Sequence, residues 1–412
     1  MSSTPTTPGA RTFRVPEGLI VPVGSPEAVT TAVASLCDHG LDAAALIRPD
    51  RAVLDVATRF AEANHRLDRR LRAGRAALFV ATNLDPASRR RQVAQARRAH
   101  LPATALVLDD PDAPGDARLA AATDDVLLAE GFDRVHRPRP GDVIALLRAD
   151  GDWTRVPGPF VIVGDVHNCL DTLADLLGDL GFDDDLTHPT GLFPILAGDV
   201  VNKGGRHPGD PGVAPRDYDA ARTLRWALAQ RARGALGWVA GNHEEALVRA
   251  LTGAGLSEGP STATVAALAA QPDGDALARA FVATALSLPS VVDLLDGEGR
   301  VLHVVHAGYR DDLRDGSTER LRRVALHGRE PSLDRLAPGH GVLYGHTPQR
   351  AARVRRQPNG SLAVGLETGA WRGGLLSAWR TDTSSIVTRP PRERDARERP
   401  VRAVAGSVPV PA

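Results

Sequence analysis

Two periodicities alternate along the chain. Between Gly18 and about Arg148, short apolar runs (GLIVPVG at 18–24, then AALIRPD, AALFVATN and ATALVLDD) are separated by stretches with apolar residues at helical spacing. PEAVTTAVASLCDHG (26–40) opens with Pro and closes with Gly, the punctuation expected of a helix. A second helical pattern runs to Gly74, and an Arg-rich third covers about 86–99. This order predicts a parallel sheet with helices on both faces. RADGDWTRVPGP (148–159) reads as a linker. Apolar runs then predict strands at 160–164, 193–197, 236–240, 300–305, 341–344, 362–366 and 375–379. The Ala- and Leu-rich stretch 251–290 predicts a small helical insertion. The expected organisation is a flexible leader (1–17), an α/β domain (18–148), a linker (149–159), a second α/β domain (160–388) and a disordered tail (389–412).

Composition narrows this little. A chain of 412 residues suits two domains. No apolar run approaches the ~20 residues of a membrane helix. The N-terminus lacks the apolar core of a secretory signal, so no membrane association is expected. The two cysteines, Cys37 and Cys169, lie far apart and have no metal spacing, which fits a reducing, cytoplasmic setting. Fifty basic and fifty acidic residues cancel, so no global field favours a polyanion. Lys203 is the single lysine in a background of arginine.

Chemistry concentrates at five strand ends. VIVGDVHNCL carries Asp165 and His167, two residues apart and so on one side of extended chain. LFPILAGDVVNKGG carries Asp199, Asn202 and Lys203. LGWVAGNHEEALV carries Asn242 and His243, VLHVVHAGYR carries His306, and VLYGHTPQR carries His346. Ligand sites in open α/β sheets sit at the carboxyl edge of the strands. One histidine after a strand is ordinarily a hydrogen-bonded loop residue, and His303, inside its strand, is read as structural. Five apolar runs each ending in Asp, Asn or His point instead to one centre. Mixed Asp/His/Asn donors without cysteine suit Mn²⁺, Fe, Zn²⁺ or Mg²⁺.

The series GDVHN, GDVVNKG, GNHE, HAG and GHT resembles the signature of the calcineurin-like metallophosphoesterases, in their phosphoprotein-phosphatase branch. The resemblance implies an αββα sandwich and two divalent ions, Mn²⁺ foremost with Fe, Zn²⁺, Ni²⁺ or Mg²⁺ as alternatives. In such a site two ions about 3.5–4 Å apart clamp a phosphate and activate water for in-line attack. By the same resemblance Asp165 and His167 hold one ion, Asp199 bridges, and Asn242, His306 and His346 hold the other. His243 becomes the general acid, oriented through Asn202. Lys203, Asn242 and Glu367 contact the substrate phosphate.

The closing LETGAWRGGLLSAW (366–379) is similar to the ending shared by bacterial diadenosine-tetraphosphatases and the phosphatase module of bacterial polynucleotide kinase-phosphatase. The N-terminal half follows the rhythm of that second family's kinase module, which implies a P-loop-like parallel αβα domain. Its P-loop is degenerate: the second glycine is Val29 and the lysine is Thr30, so no ATP binding is expected. The aspartate of the family's DATN segment aligns with Val80. In the second half the family's GDxVDRG reads GDVVNKG, and its terminal DTG reads ETG. An amide at 202 cannot stabilise an imidazolium, so Asn202→Asp is expected to raise turnover. Lys203 keeps the charge of the family's arginine without its fork.

The expected function is hydrolysis of phosphate esters on nucleotides or polynucleotide ends, with an RNA-repair protein as a possible partner. A serine/threonine protein phosphatase and a diadenosine-tetraphosphatase are the alternatives within the same chemistry. A non-catalytic pseudoenzyme or scaffold is the alternative outside it.

Overall fold

The computed structural model of the chain describes residues 11–50, 52, 55–73, 75–99, 101–108, 116–139, 141–203, 219–254, 260–314, 317–392 and 408–409. It divides into two compact units. The first is Met1–Arg148 with Arg155–Pro157 and Ala232–Gly234, and the second holds the remainder. No helix among the described residues is long and apolar enough to cross a membrane.

The first unit runs β1 (Thr12–Pro16), β2 (Leu19–Gly24), α1 (Pro26–Asp38), β3 (Leu46–Ile47), α2 (Val56–Arg72), β4 (Ala77–Phe79), α3 (Pro86–Arg98), β5 (Ala103–Leu108), α4 (Ala117–Ala120), α5 (Asp124–Glu130), β6 (Arg134–His136) and β7 (Val143–Leu147). Its main sheet has the order β3-β4-β2-β5-β6, every pair parallel. The helices follow from caps and stripes. Ser25, Asp55 and Asp85 cap α1, α2 and α3, and Pro26 and Pro86 occupy first-turn positions. The buried face of α1 is Val29, Ala32, Val33 and Leu36, at the predicted helical spacing. One expectation needs correction. The leader is not free up to Glu17, because Thr12–Pro16 pairs in parallel with β7 and buries Val15.

The junction of β2 and α1 leaves no room for a phosphate cradle. The strand ends at Gly24 and the helix starts at Pro26, with Ser25 alone between them. The Ser25 hydroxyl accepts the Ala28 amide at 3.2 Å, and its carbonyl accepts the Val29 amide. Val29 and Thr30, where a cradle needs Gly and Lys, lie inside α1. At the end of β4, Asn83 adopts a left-handed backbone and donates to Pro22 O at 2.8 Å, tying this segment to β2.

The second unit runs β8 (Phe160–Val163), α6 (Leu170–Asp179), β9 (Phe193–Leu196), α7 (Ala220–Ala232), β10 (Gly237–Trp238), α8 (Asn242–Thr252), α9 (Pro260–Ala269), α10 (Gly274–Ser287), β11 (Val291–Leu295), β12 (Val301–Val305), α11 (Thr318–His327), β13 (Gly341–Tyr344), β14 (Arg353–Arg356), β15 (Leu362–Gly365), β16 (Leu376–Arg380), β17 (Ser385–Arg389) and β18 (Val408–Pro409). Two sheets form, with orders β10-β9-β8-β16-β17-β18 and β11-β12-β13-β15-β14. One apolar core takes Val161, Val163 and Leu196 from the first sheet and Val305, Val342 and Ala363 from the second. Helices contribute Leu173, Leu224, Leu247 and Phe281 to the same core. β8, β9 and β10 are parallel, as are β12, β13 and β15, so all their carboxyl ends share one direction within each sheet. The strands β11 and β14 add antiparallel edges, and β17 an antiparallel strand between β16 and β18, that the apolar runs did not predict. Helices α9 and α10 occupy the predicted insertion. Part of the expected free tail, Val408–Pro409, pairs with β17, while 393–407 and 410–412 lie outside the described residues.

Within the first unit, Arg89 and Glu130 form a buried two-pronged pair at 2.7 and 2.6 Å, with side chains 2% and 5% exposed. The same guanidinium donates to Asn83 O at 2.9 Å. Removing one partner strands a buried charge, which costs about 3–5 kcal/mol. Arg89→Met should therefore lower stability by that amount in urea unfolding, and adding Glu130→Met should restore a large part. Equal stability of Arg89→Met and wild type would contradict this account.

Candidate metal centre

The sequence-predicted donors come together where the two sheets end. Asp165 and His167 follow β8, Asp199 follows β9, and Asn242 opens α8 after β10. His306 follows β12 and His346 follows β13 in the other sheet. Register explains the first three. Val163 pairs with Leu196, and Leu196 pairs with Trp238, so these strands finish side by side.

Asp199 lies in the middle with its two oxygens facing different groups. Its Oδ2 is 3.6 Å from His167 Nε2 and 3.8 Å from His243 Nε2. Its Oδ1 is 3.3 Å from His306 Nε2. Asp165 Oδ2 completes the first set, 3.6 Å from His167 Nε2. In the second set, Asn242 Oδ1 is 2.8 Å from His306 Nε2 and 3.0 Å from His346 Nδ1, and those two nitrogens are 3.0 Å apart.

Backbone contacts fix which ring nitrogens face inward. His167 Nδ1 lies 3.0 Å from Val201 O, and His306 Nδ1 lies 3.0 Å from Ala197 O. A carbonyl only accepts, so each Nδ1 carries the proton and each Nε2 presents a lone pair. Such a partner beyond the ligand is usual for a metal-binding histidine.

Charge points the same way. Burial holds His167 well below its usual range and pushes His306 down to about 3. Burial likewise lowers His346 and His243 to about 4. The imidazoles are therefore neutral at pH 7. The buried carboxyls are crowded. Burial, then Glu367 and Asp199, raise Asp165 well above its usual range. Burial, then Asp199, push Glu244 up to about 8 and Glu367 up to about 7. Neutral imidazoles and mutually repelling carboxylates, with lone pairs converging, form a donor set that fits cations. The His167–Asp199–His243 and Asp199–His306–His346 groups could each hold a metal ion.

The backbone bends unusually to make this arrangement. Eight non-glycine residues among those described have positive φ, and His167, Asn168, Asp199, Asn202 and His346 are five of them. Strain of this sort collects at functional sites. Two glycines are there for space. A Cβ on Gly345 would land on Asp165 Oδ1, and one on Gly198, itself at φ 91°, would lie 2.9 Å from His306 Nδ1.

Asn202 does not do what the motif suggested. Its Nδ2 donates to the backbone carbonyl of His243 at 3.1 Å and contacts Ser261 Oγ at 3.1 Å. Its Oδ1 accepts the Thr264 hydroxyl at 2.8 Å. The amide thus ties the loop to α9, and His243 Nδ1 is buried without a hydrogen-bond partner among the described residues. A carboxylate at 202 would set an oxygen against the His243 carbonyl. Contrary to what the motif implies, Asn202→Asp should therefore not speed turnover.

Lys203 Nζ lies 5.0 Å from the centre of the Trp371 ring, and the exposed Arg372 guanidinium lies 5.7 Å from it. The Trp371 ring is 6.1 Å from that of His167. Glu367 is 1% exposed and accepts the Gly369 amide at 3.1 Å, which suits a positioning role beside Asp165 better than contact with an anion. Gly204 and Gly205 of the second motif lie outside the described residues.

Sequence reasoning missed Glu244 and Trp371. The Glu244 carboxylate accepts the amides of Asp199, Val200 and Gly241 at 2.8, 2.8 and 2.9 Å. It sits at the third helical position of α8, where a capping glutamate reaches back to the helix start, and that signal was available in GNHE. Trp371 had no local signal, since its place depends on the fold.

Residues 158–361 match the family described as calcineurin-like phosphoesterase. The bis(5′-nucleosyl)-tetraphosphatase PrpE [asymmetrical] of Halalkalibacterium halodurans is 27% identical over 57% of this chain and 94% of its own. The protein of the same name from Bacillus subtilis is 26% identical over 56% of this chain and 93% of its own. A solved structure described as a candidate diadenosine tetraphosphatase aligns with 58% of this chain and 96% of that one, at 21% identity and a TM-score of 0.40. The chain carries a calcineurin-like metallophosphoesterase domain, a kind of domain that uses divalent metal ions, and is a phosphoric ester hydrolase.

Glu244→Gln replaces one acceptor oxygen with a donor facing backbone amides. Hydrogen bonds to a charged group contribute about 1.5–3 kcal/mol each. The variant should lose at least about that much stability on thermal unfolding and bind divalent metal more weakly. An unchanged melting temperature together with unchanged metal content would refute the role given to Glu244.

Proposed function

We propose that the chain hydrolyses the phosphate bridge of dinucleoside tetraphosphates, cutting it off-centre. The observation that carries this reading is Asp199, whose two oxygens face separate donor sets at 3.3 and 3.6 Å. The name shared by the relatives supports the substrate class. The pair of cations over Trp371 favours a long polyphosphate, with several charges to neutralise, over a simple monoester.

In this reading Asp165, His167 and Asp199 hold one divalent ion, and Asp199, Asn242, His306 and His346 hold the other. When bound, the ions supply Lewis-acid polarisation of phosphoryl oxygens and acidify the attacking water. The oxygen and nitrogen donors suit Mn²⁺ first, with Fe, Zn²⁺, Ni²⁺ and Mg²⁺ compatible. His243, 14% exposed at its side chain, reaches solvent from the cluster and stands where a proton could pass to the leaving oxygen; an anionic phosphate beside it would raise its affinity for that proton. Asn202 acts through the backbone carbonyl of His243 and is a positioning residue. Lys203 attracts the bridge as a point charge.

A second reading, hydrolysis of a phosphate at a polynucleotide end, draws on the parallel five-stranded unit that precedes the phosphoesterase domain. That unit takes a binding role, since the β2–α1 turn offers no cradle for ATP.

A Mn²⁺-supplemented panel tests both: diadenosine tetraphosphate, p-nitrophenyl phosphate, 2′,3′-cyclic nucleotides, a 3′-phosphorylated RNA and a phosphopeptide. The tetraphosphate should be cleaved fastest, to unequal products. Asp199→Asn should lose more than about 100-fold, beyond the 10–100-fold typical of residues around the ligands. Lys203→Ala should raise KM for the tetraphosphate more than for p-nitrophenyl phosphate. Preference for RNA ends would favour the second reading, and preference for the phosphopeptide would overturn both. Asn202→Asp should be slower than wild type and less stable by about 1–3 kcal/mol, the cost of an unpaired buried group.

A further inference from the structure

A second cluster of donors lies apart from the first and shares no residue with it. His303 is on β12, His340 immediately precedes β13, and Asp311 opens a short 3-10 turn (Asp311–Leu313). His303 Nε2 is 3.1 Å from His340 Nδ1 and 3.4 Å from Asp311 Oδ1, and His340 Nδ1 is 3.5 Å from Asp311 Oδ1. Three donors at the corners of such a triangle match a tetrahedral ion. Bonds of about 2.0–2.1 Å at tetrahedral angles place neighbouring donors about 3.3–3.4 Å apart.

The surroundings supply what a metal-binding histidine ordinarily has. His303 Nδ1 is 2.7 Å from Asp293 Oδ1, an arrangement that puts the ring proton on Nδ1 and leaves Nε2 as a lone pair aimed at the cluster. Asp293 is held from its other oxygen by Arg314. Asp311 is oriented by the Tyr309 hydroxyl at 3.0 Å and by the Ala337 amide. The Tyr309 ring stacks on His303 with centroids 4.2 Å apart. His303 is buried, while the His340 and Asp311 side chains are 31% and 26% exposed, so an ion has an entry path and water can fill a fourth position.

We propose that His303, Asp311 and His340 bind a zinc ion, which ties the β11–β12 hairpin and the start of β13 to the turn at Asp311. The donor set, two imidazoles and one carboxylate with an open corner, belongs to zinc among the common ions. The site is independent of the proposed reaction. Its expected role is structural, and its expected loss is of bound metal and stability.

Zinc content per chain, measured after dialysis against Zn²⁺ and removal of the excess, tests this. The first centre is disabled by His167→Ala with His346→Ala. That variant should retain one zinc per chain, and adding either His340→Ala or Asp311→Asn should remove it. Zn²⁺ should raise the melting temperature of the first variant and leave that of the triple variants unchanged. Anomalous scattering at the zinc edge from the wild type should place a peak among the three donors. A first-centre variant that holds no zinc, or triple variants that hold as much as it does, would overturn the site. The three groups would then form a hydrogen-bonded cluster in which His340 donates to His303. Two different lesions, one amide-conservative, keep the result readable if His340→Ala folds poorly.

Discussion

The carboxylate of Asp199 governs the second unit's active end. It belongs to neither donor set alone, because one oxygen faces His167 and the other faces His306. A shared carboxylate must be held at a definite height and angle, or one side of the centre is lost. Glu244 does this holding. By accepting the amides of Asp199, Val200 and Gly241, it locks the turn after β9 to the start of α8. The cost is a buried anion next to other anions, which cations in the centre would offset.

The two sheets depend on each other at this point. His306 comes from the second sheet, yet its ring is oriented by Ala197 O in the first. The amide of His346, also from the second sheet, bonds both oxygens of Asp165 at 3.1 and 3.2 Å. His306 and Asp165 are thus each positioned by a neighbour from the opposite sheet. The motif glycines serve this crowding, and the left-handed residues let each strand end turn its side chain inward. Strain at five positions is tolerated because these contacts over-determine the loops.

Motif spelling alone misjudged two positions. At 202, replacement of an acid by an amide looks like damage to a catalytic pair. In the fold the amide has other partners, and the helical insertion supplies two of them, Ser261 and Thr264. The insertion and the substitution make sense together. In the first unit Val29 and Thr30, compared by resemblance with P-loop positions, lie in the first turns of a capped helix that starts one residue after β2 ends.

Alternation of apolar runs with helical stripes was enough to find both α/β units, because burial imposes those periods directly. The convergence of Asp165, His167, Asp199, Asn242, His306 and His346 was also legible, since each stands at the end of an apolar run and parallel strands bring such ends together. The strands β11, β14 and β17 were not legible. The partly exposed RVRR of β14 shows why: it carries no apolar stripe and is a strand only through its partner. Glu244 was half legible, as a capping residue but not as the clamp on Asp199. Trp371 beside Lys203, the real partners of Asn202, and the meeting of His303, His340 and Asp311 were decided by tertiary structure. Each joins residues distant along the chain, and distance along the chain carries no record of which side chains will face each other once the sheets have packed.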